Sequence, residues 1–517
     1  MANKTLFAAT RGRHRPPVNT VNRAGAGAYD YIAAHKLAQY AATGCLSNTF
    51  YAAAEEQLET VLQLALQLEP EFVAKAAVYA RKKGHMKDVP ALLLAVLSTK
   101  STELLQKAFP QVVDNGRMLR NFVQIMRSGV VGRKSLGSVP KALVRKWLDS
   151  ASERVLIEAS VGTSPSLRDV VRLVHPKPAD ATREAFYGWL LGKPHLFERL
   201  PQALQALKLF ELDRSREIPD VPFQMLTALN LDAQGWAQVA LRGGWHMLRM
   251  NLNTFARHGV YLLPHVTDAI AERLADREAI KRARVLPYQL LIAHSMIAGN
   301  VPRIVRNALE TAMEIALENV PSFPGRVVVC PDVSGSMASP ITGKRGSATS
   351  AVRCIDVAAL IAAAVMRANP DTKILPFAEA VREIRLNPRG KVMMNANKLA
   401  SLGGGGTNCS APLEWLWRHG TEAELVIMVS DNQSWIDARS QGTSQTMKMW
   451  SEFRARNPKA KLACIDLQPY GTTQAAEGVD VLNVGGFSDE VFEIVRLFAR
   501  DELGAQHWLD QIESVNV

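Results

Sequence analysis

From Tyr29 to about Val320 the apolar residues recur at spacings of three and four, interrupted by Pro or Gly, which predicts helix after helix and no strand. In residues 55–68, for example, Leu58, Val61, Leu62, Ala65 and Leu68 share one face, residues 72–83 follow and stop at Gly84, and residues 90–98 open a third helix. Short helices joined by tight turns over nearly 300 residues predict stacked helical pairs of HEAT-like type, although no fixed repeat period is visible. Beyond 320 the pattern changes. Compact apolar runs at 327–330, 373–376, 425–429, 462–466 and about 479–484 read as strands, separated by helical stretches at 351–368, 411–417, 446–456 and 488–498. This alternation predicts a doubly wound α/β sheet with helices on both faces, whose ligands bind beyond the carboxyl ends of its strands. Residues 1–28 show neither period, and Pro16, Pro17, Gly25 and Gly27 discourage regular structure. The expected division is therefore a basic arm over 1–28, a helical repeat domain over 29–322 and an α/β domain over 323–517.

Composition supports globular domains and little else: 47% of the 517 residues are hydrophobic and 21% charged, enough for two or three full cores. Five cysteines, an odd number without C-x-x-C spacing, argue against a disulfide framework or a zinc site. Arg11, Arg13 and Arg15 open the chain without the apolar core of a signal peptide, and the longest apolar run, 357–366, is too short to span a bilayer. A soluble cytoplasmic protein without membrane association is expected.

Charge is distributed unevenly. The net charge of +12 comes from 41 Lys and Arg against 28 Asp and Glu up to residue 320, and 20 against 21 after it. A neutral α/β domain joined to a basic helical one points to a polyanionic partner for the latter, with a generally alkaline solvated surface as the alternative.

Two places carry candidate chemistry. The strand at 327–330 runs into Pro331-Asp332-Val333-Ser334-Gly335-Ser336, which presents one carboxylate and two hydroxyls at alternate positions. Asp-x-Ser-x-Ser is the sequence of a metal-ion-dependent adhesion site, where hard oxygen ligands hold Mg²⁺, with Mn²⁺ or Ca²⁺ as substitutes, and leave a position for a partner's oxygen. Gly403 to Gly406 lead into Thr407, a third hydroxyl, and the strand at 425–429 ends in Ser430-Asp431. In a parallel sheet these loops meet. Asp332, Ser334, Ser336, Thr407 and Asp431 match the ligand pattern of von Willebrand factor A domains, which the segment resembles over its whole length.

In the helical region, Arg127, Arg133, Lys134, Lys141 and Arg145 surround a glycine-containing loop at 129–137. Arg168, Arg172 and His175 fall at i, i+4 and i+7 of one short helix, opposite an apolar stripe of Leu167, Val170, Val171 and Val174, with Pro176 and Lys177 next. Two guanidiniums and an imidazole on one face suit phosphate and groove contacts on folded RNA; a merely solvated face is the alternative.

A helical region of this size ahead of an adhesion-site A domain resembles the Ro ribonucleoprotein autoantigen family, the TROVE-domain proteins. The likeness lies in 127–137, in 167–178 with its Arg-Leu-Val-His-Pro-Lys-Pro core, in 72–97 and in the C-terminal half. It implies a ring of HEAT-like repeats closed by the A domain. It implies Y RNA on the outer face, contacted through the positions of Arg172, His175 and Lys177, and single-stranded 3′ ends of misfolded RNA in the central hole. The implied role is noncoding RNA quality control with an exoribonuclease such as polynucleotide phosphorylase, and a monomer is expected because the ring would close within one chain.

An enzyme is not expected. Thr342-Gly-Lys lacks the glycine spacing of a phosphate loop, no H-E-x-x-H is present, Ser334 and Ser336 sit in no G-x-S-x-G elbow, and two carboxylates among hydroxyls make a poor two-metal nuclease. The alternative function is a protein-recruitment scaffold acting through the metal, with no RNA role.

Overall fold

The computed structural model describes residues 16–283, 285, 287–318, 320–344, 352–435, 443–503 and 508–517. The chain forms two compact units that do not follow its linear order. One gathers the chain up to Leu64, a short piece ending at Ile292, and Met313–Val515; the other takes Ala65–Val285 and Ala293–Ala312.

The first unit is built on a five-stranded sheet in the order β4-β3-β5-β6-β8: β3 (Val327–Pro331), β4 (Lys373–Ile374), β5 (Leu425–Ser430), β6 (Lys461–Asp466) and β8 (Val481–Gly485). All its pairings are parallel. Every residue of β3, β5 and β8 is buried, as expected of strands covered on both faces, and for that reason they read in the sequence as unbroken apolar runs. Helix Cys354–Ala368, apolar almost all round and buried almost all round, packs on β3 and β5. A helix at Val392–Ala400 went unread in the sequence, its apolar positions diluted by asparagines.

The expectation for the arm is corrected in its described part. A small antiparallel sheet joins β1 (Thr20–Val21), β2 (Gly27–Asp30) and β7 (Thr472–Thr473), with Tyr29 opposite Thr473. A ladder whose partner lies more than 400 residues away leaves no local signature. Arg11, Arg13 and Arg15 lie outside the described residues. Helix Ala33–Thr43 then packs on β8, so the opening of the chain is part of the α/β unit.

The second unit is helical throughout its described residues, as the spacing predicts. Helix Pro70–Lys82 packs on Asp88–Lys100 and Thr102–Val112, and Asp88–Lys100 on Gly116–Ser128. Asp88–Lys100 is buried from Val89 through Ser98, the central member of its layer.

What repeats in this unit is a cap rather than a sequence motif. Lys100 donates to the carbonyls of Ala65 and Leu66 at 3.0 and 2.6 Å. Arg133 donates to that of Ser98 at 2.9 Å, Arg145 to Val174 at 2.5 Å and Arg168 to Leu190 at 2.6 Å. Arg183 reaches Leu148 and Ala151 at 3.2 and 2.9 Å, and Arg273 reaches Ala240 and Leu241 at 2.6 and 2.5 Å. Each acceptor lies at the carboxyl end of a helix, where the last carbonyls lack intrahelical partners and the dipole favours a cation.

Among the described residues, no helix is long and apolar enough to cross a membrane.

Candidate metal centre and basic face

The candidate metal site begins with strand register. Pro331 of β3 lies opposite Val429 of β5, so Asp332 and Asp431 leave adjacent strands at the same edge. The Asp332 amide extends the ladder by donating to the Val429 carbonyl at 2.9 Å. Oδ1 of Asp332 then accepts from the Ser334 amide at 2.8 Å, a turn that brings the Ser334 and Ser336 hydroxyls within 3.3 Å of each other. Glycines bring in the third loop: Gly404 donates to the Val333 carbonyl at 2.9 Å, and the Gly405 carbonyl accepts from Gly335 at 2.8 Å. Gly404 and Gly405 sit at φ 125° and 92°, where a side-chain-bearing residue would be strained. Thr407 is joined to the Asp431 loop, its carbonyl accepting from the Trp435 amide at 3.2 Å.

The structure thus brings all five expected ligands to one edge of the sheet and buries each of them. Burial and the Asp332 charge push the Asp431 carboxyl up to about 7, and burial raises Asp332 as well. Asp431 Oδ2 is a buried oxygen without a hydrogen-bond partner. Two carboxylates, one of them with an orphaned oxygen, and three hydroxyls fit a hard divalent cation, which would neutralise the mutual repulsion. Among the described residues no cluster of three or more His, Cys, Asp and Glu occurs, so soft-metal coordination has no donor set. A cavity of about 480 Å³ opens beside Ser334 and Gly335, lined also by Arg353, Asp356, Asn397 and Ser401.

Two supports of the site escape sequence reading. Ser430 donates its hydroxyl to Asp332 Oδ2 at 2.5 Å and accepts from the Asn432 amide at 3.0 Å; its position just before Asp431 is the only signal for it. From the turn between β1 and β2, Asn22 donates to the Ser434 carbonyl at 2.6 Å and the Arg23 amide to Gln433 Oε1 at 2.7 Å, contacts without any sequence signal.

The basic face belongs to the helical unit. Helix Leu167–Val174 is closed at its start by a capping box, Ser166 Oγ accepting from the Asp169 amide at 3.2 Å and Asp169 accepting from the Ser166 amide at 2.9 Å. It ends at His175, which takes the left-handed conformation at φ 49° before Pro176. Leu167, Val170, Val171 and Val174 are buried as the spacing requires, and Arg168, Arg172, His175 and Lys177 are exposed. The neighbouring helices Gly116–Ser128 and Ser138–Ser150 pack against this one, and exposed Arg127 approaches its start: the Asp169 carboxyl is held low by Ser166 hydrogen bonds, with further pull from Arg172 and Arg127.

The other expected contacts divide. Lys134 is exposed and Lys141 half-buried. Arg133 and Arg145 correct the expectation of a free basic cluster: both are half-buried and point donors at helix-end carbonyls, Arg133 also meeting Ser98 Oγ at 2.7 Å. Arg168 is exposed yet commits its Nε to Leu190. The reason is physical. A buried carbonyl at a helix end needs a donor, and a long cationic side chain can supply one while its stem packs on apolar surface.

Comparison with known proteins gives matches in both the helical and the α/β part of the chain. A domain model described as the Ro60 vWA domain matches residues 326–499, and one described as the TROVE domain matches residues 224–314. The RNA-binding protein RO60 of Deinococcus radiodurans is 25% identical over 542 residues, covering 97% of this chain and 100% of that protein. The RNA-binding protein RO60 of Caenorhabditis elegans is 24% identical over 247 residues, 46% of this chain and 37% of that protein. The crystal structure of the Deinococcus radiodurans RO (RSR) protein superposes with a TM-score of 0.60 at 21% identity, covering 91% of this chain and 100% of that one, a likeness of fold.

Proposed function

From the premise that this chain belongs to the Ro family of TROVE-domain proteins carrying a von Willebrand factor A domain, we propose that it is an RNA-binding protein whose helical unit grips structured noncoding RNA. The observation that carries the reading is the exposed face of helix Leu167–Val174, where Arg172, His175 and Lys177 stand at and around a left-handed helix cap while Arg127 approaches the first turn. A cationic knob on a rigid helix end suits the phosphates and 2′-hydroxyls of a folded RNA, and Y RNA or a Y-like RNA is the ligand class we assign to it. Single-stranded 3′ ends of misfolded RNA are the second ligand. The role that unites the two is noncoding RNA quality control in the cytoplasm, with polynucleotide phosphorylase or another exoribonuclease performing the degradation that this chain does not catalyse.

In the same proposal the A domain holds Mg²⁺ through Asp332, Ser334, Ser336, Thr407 and Asp431. The ion would supply an open coordination position for a partner's carboxylate oxygen. The chain's own residues set what reaches it: Ser430 orients Asp332, the glycine loop fixes Thr407, and the neighbouring cavity with Arg353 and Asp356 receives the partner's adjacent side chains.

Filter binding tests the RNA reading. Affinity for a stem-loop RNA should fall steeply with salt, the logarithm of the binding constant dropping linearly with that of salt concentration. Affinity no better than for an acidic protein and flat with salt would overturn it. The Asp332→Ala variant separates the two halves: it should abolish metal-dependent protein partner binding and leave RNA binding intact.

A further inference from the structure

A second place in the helical unit has the chemistry of a nucleotide site and is used by nothing above. A cavity of about 330 Å³ is lined by Phe223, Asn230, Trp236, Asn251, Arg257 and His258 among others. The Trp236 and His258 rings are stacked, with centroids 4.3 Å apart and planes 18° from parallel, and Phe223 meets Trp236 near edge-on at 5.8 Å. Trp236 is buried on helix Ala233–Arg242, whereas His258 is exposed just past helix Leu252–Arg257. The indole therefore backs one face of an exposed imidazole that itself lines the cavity.

Polar groups around the stack are of the kinds a nucleotide needs. Exposed Arg257 is steadied by a hydrogen bond from its guanidinium to Thr254 Oγ1 at 3.1 Å. Asn251 is fixed by donating to the Met247 carbonyl at 2.8 Å, and Asn230 brings a second amide to the wall. Amides read base edges, an arginine pairs with phosphate, and an aromatic platform accepts any base through its π face. No carboxylate lines the cavity among the described residues, so nothing in its wall repels an anion. Its volume lies at the lower end of the roughly 300–1,000 Å³ usual for ligand pockets, a fit for one base rather than a larger molecule.

We infer that this cavity binds a single unpaired nucleotide, its base stacked on His258 and its phosphate on Arg257. The inference rests on the proposed RNA-binding role when the nucleotide belongs to a strand; a free mononucleotide has the same chemistry. Full-length protein is titrated with fluorescent decauridylate, with a stem-loop RNA that has no single-stranded tails and a minimal four-nucleotide loop, and with AMP and UMP, comparing the wild type with His258→Ala, His258→Phe and Arg257→Gln. Loss of stacking should weaken decauridylate about tenfold in His258→Ala, while His258→Phe stays near wild type and the stem-loop changes less than twofold. Arg257→Gln should lower the salt slope for decauridylate by about 0.7, one phosphate contact on a single strand. Binding of AMP or UMP that is lost in His258→Ala would assign the site to the free nucleotide. Decauridylate and mononucleotide affinities within twofold of wild type in all three variants would overturn the inference and leave the ring pair as packing alone. If the wild type binds neither the stem-loop nor decauridylate, it is the RNA-binding role that fails, and the mononucleotide titration alone then decides the cavity.

Discussion

Ser430 donates its hydroxyl to Oδ2 of Asp332 at 2.5 Å, tying the last residue of one central strand to the first ligand beyond its neighbour. Because Oδ1 is taken by the Ser334 amide, both oxygens of this carboxylate are oriented before any cation arrives. Removing such an outer partner typically costs about 10–100-fold in metal affinity. Ser430→Ala should therefore weaken Mg²⁺ binding by roughly tenfold in a calorimetric titration. In the wild type, Mg²⁺ at a hundred times its dissociation constant should raise stability by about 2.7 kcal/mol, a gain that Asp332→Ala should erase. An unchanged Mg²⁺ response in both variants would remove the metal from the account.

Gly116 shows where local propensity gives the wrong sign. A Cβ at this first residue of helix Gly116–Ser128 would lie 2.2 Å from the Ala159 Cβ and 2.7 Å from its Cα, against helix Glu153–Ser160. Alanine favours helices over glycine by roughly 1 kcal/mol, but here backbone must move. Gly116→Ala should destabilise by about 1–3 kcal/mol in urea unfolding. Stabilisation would mean the two helices are not packed this closely.

Arginines in one basic sequence stretch should separate into two behaviours. Arg133→Ala strips donors from the Ser98 carbonyl and hydroxyl and should cost about 1–3 kcal/mol of stability. Arg172→Glu with Lys177→Glu should leave the unfolding midpoint nearly unchanged and weaken a stem-loop RNA by more than tenfold, with a shallower salt slope. Equal loss for stem-loop and single-stranded RNA would count against two distinct ligand sites.

Acid titration checks the amino end of the central strands. Hydrogen bonds from Arg326 hold the Glu424 carboxyl down at about 2, below its ordinary 4.5. A depressed carboxyl stabilises the fold above its unfolded value and loses that contribution as pH falls toward the folded one. Glu424→Gln should thus lower the unfolding midpoint slightly at pH 7, the effect being small because the pair is largely solvated, and the gap should narrow between about pH 4.5 and 2. A gap that widens in acid would contradict the pairing.

The candidate metal centre is the most legible part of the chain, because its expected ligands follow directly on buried strands whose apolar runs fix both position and direction. Asp332 and Asp431 could be placed side by side from parallel order alone. Asn22 and Arg23, which brace the Asp431 loop, could not, since nothing near them in sequence announces a partner at Ser434 or Gln433. Helices were legible by period, but the use of their arginines was not. Arg133, Arg145 and Arg168 look in sequence like the same resource as Arg172, and only the helix-end carbonyls of Ser98, Val174 and Leu190 distinguish them. Part of the positive excess of the helical region is thereby committed within the fold. For the proposed RNA partner, the exposed Arg127, Arg172, His175 and Lys177 matter more than net charge.

The central claim is best tested by isolating the protein from cells without nuclease and sequencing the RNA that remains bound. The account predicts a discrete small structured RNA together with heterogeneous single-stranded 3′ ends, with the structured species depleted from the Arg172→Glu, Lys177→Glu variant. Background RNA alone, recovered equally from wild type and variant beside a defined protein partner, would contradict it and leave the metal-dependent recruitment module in its place.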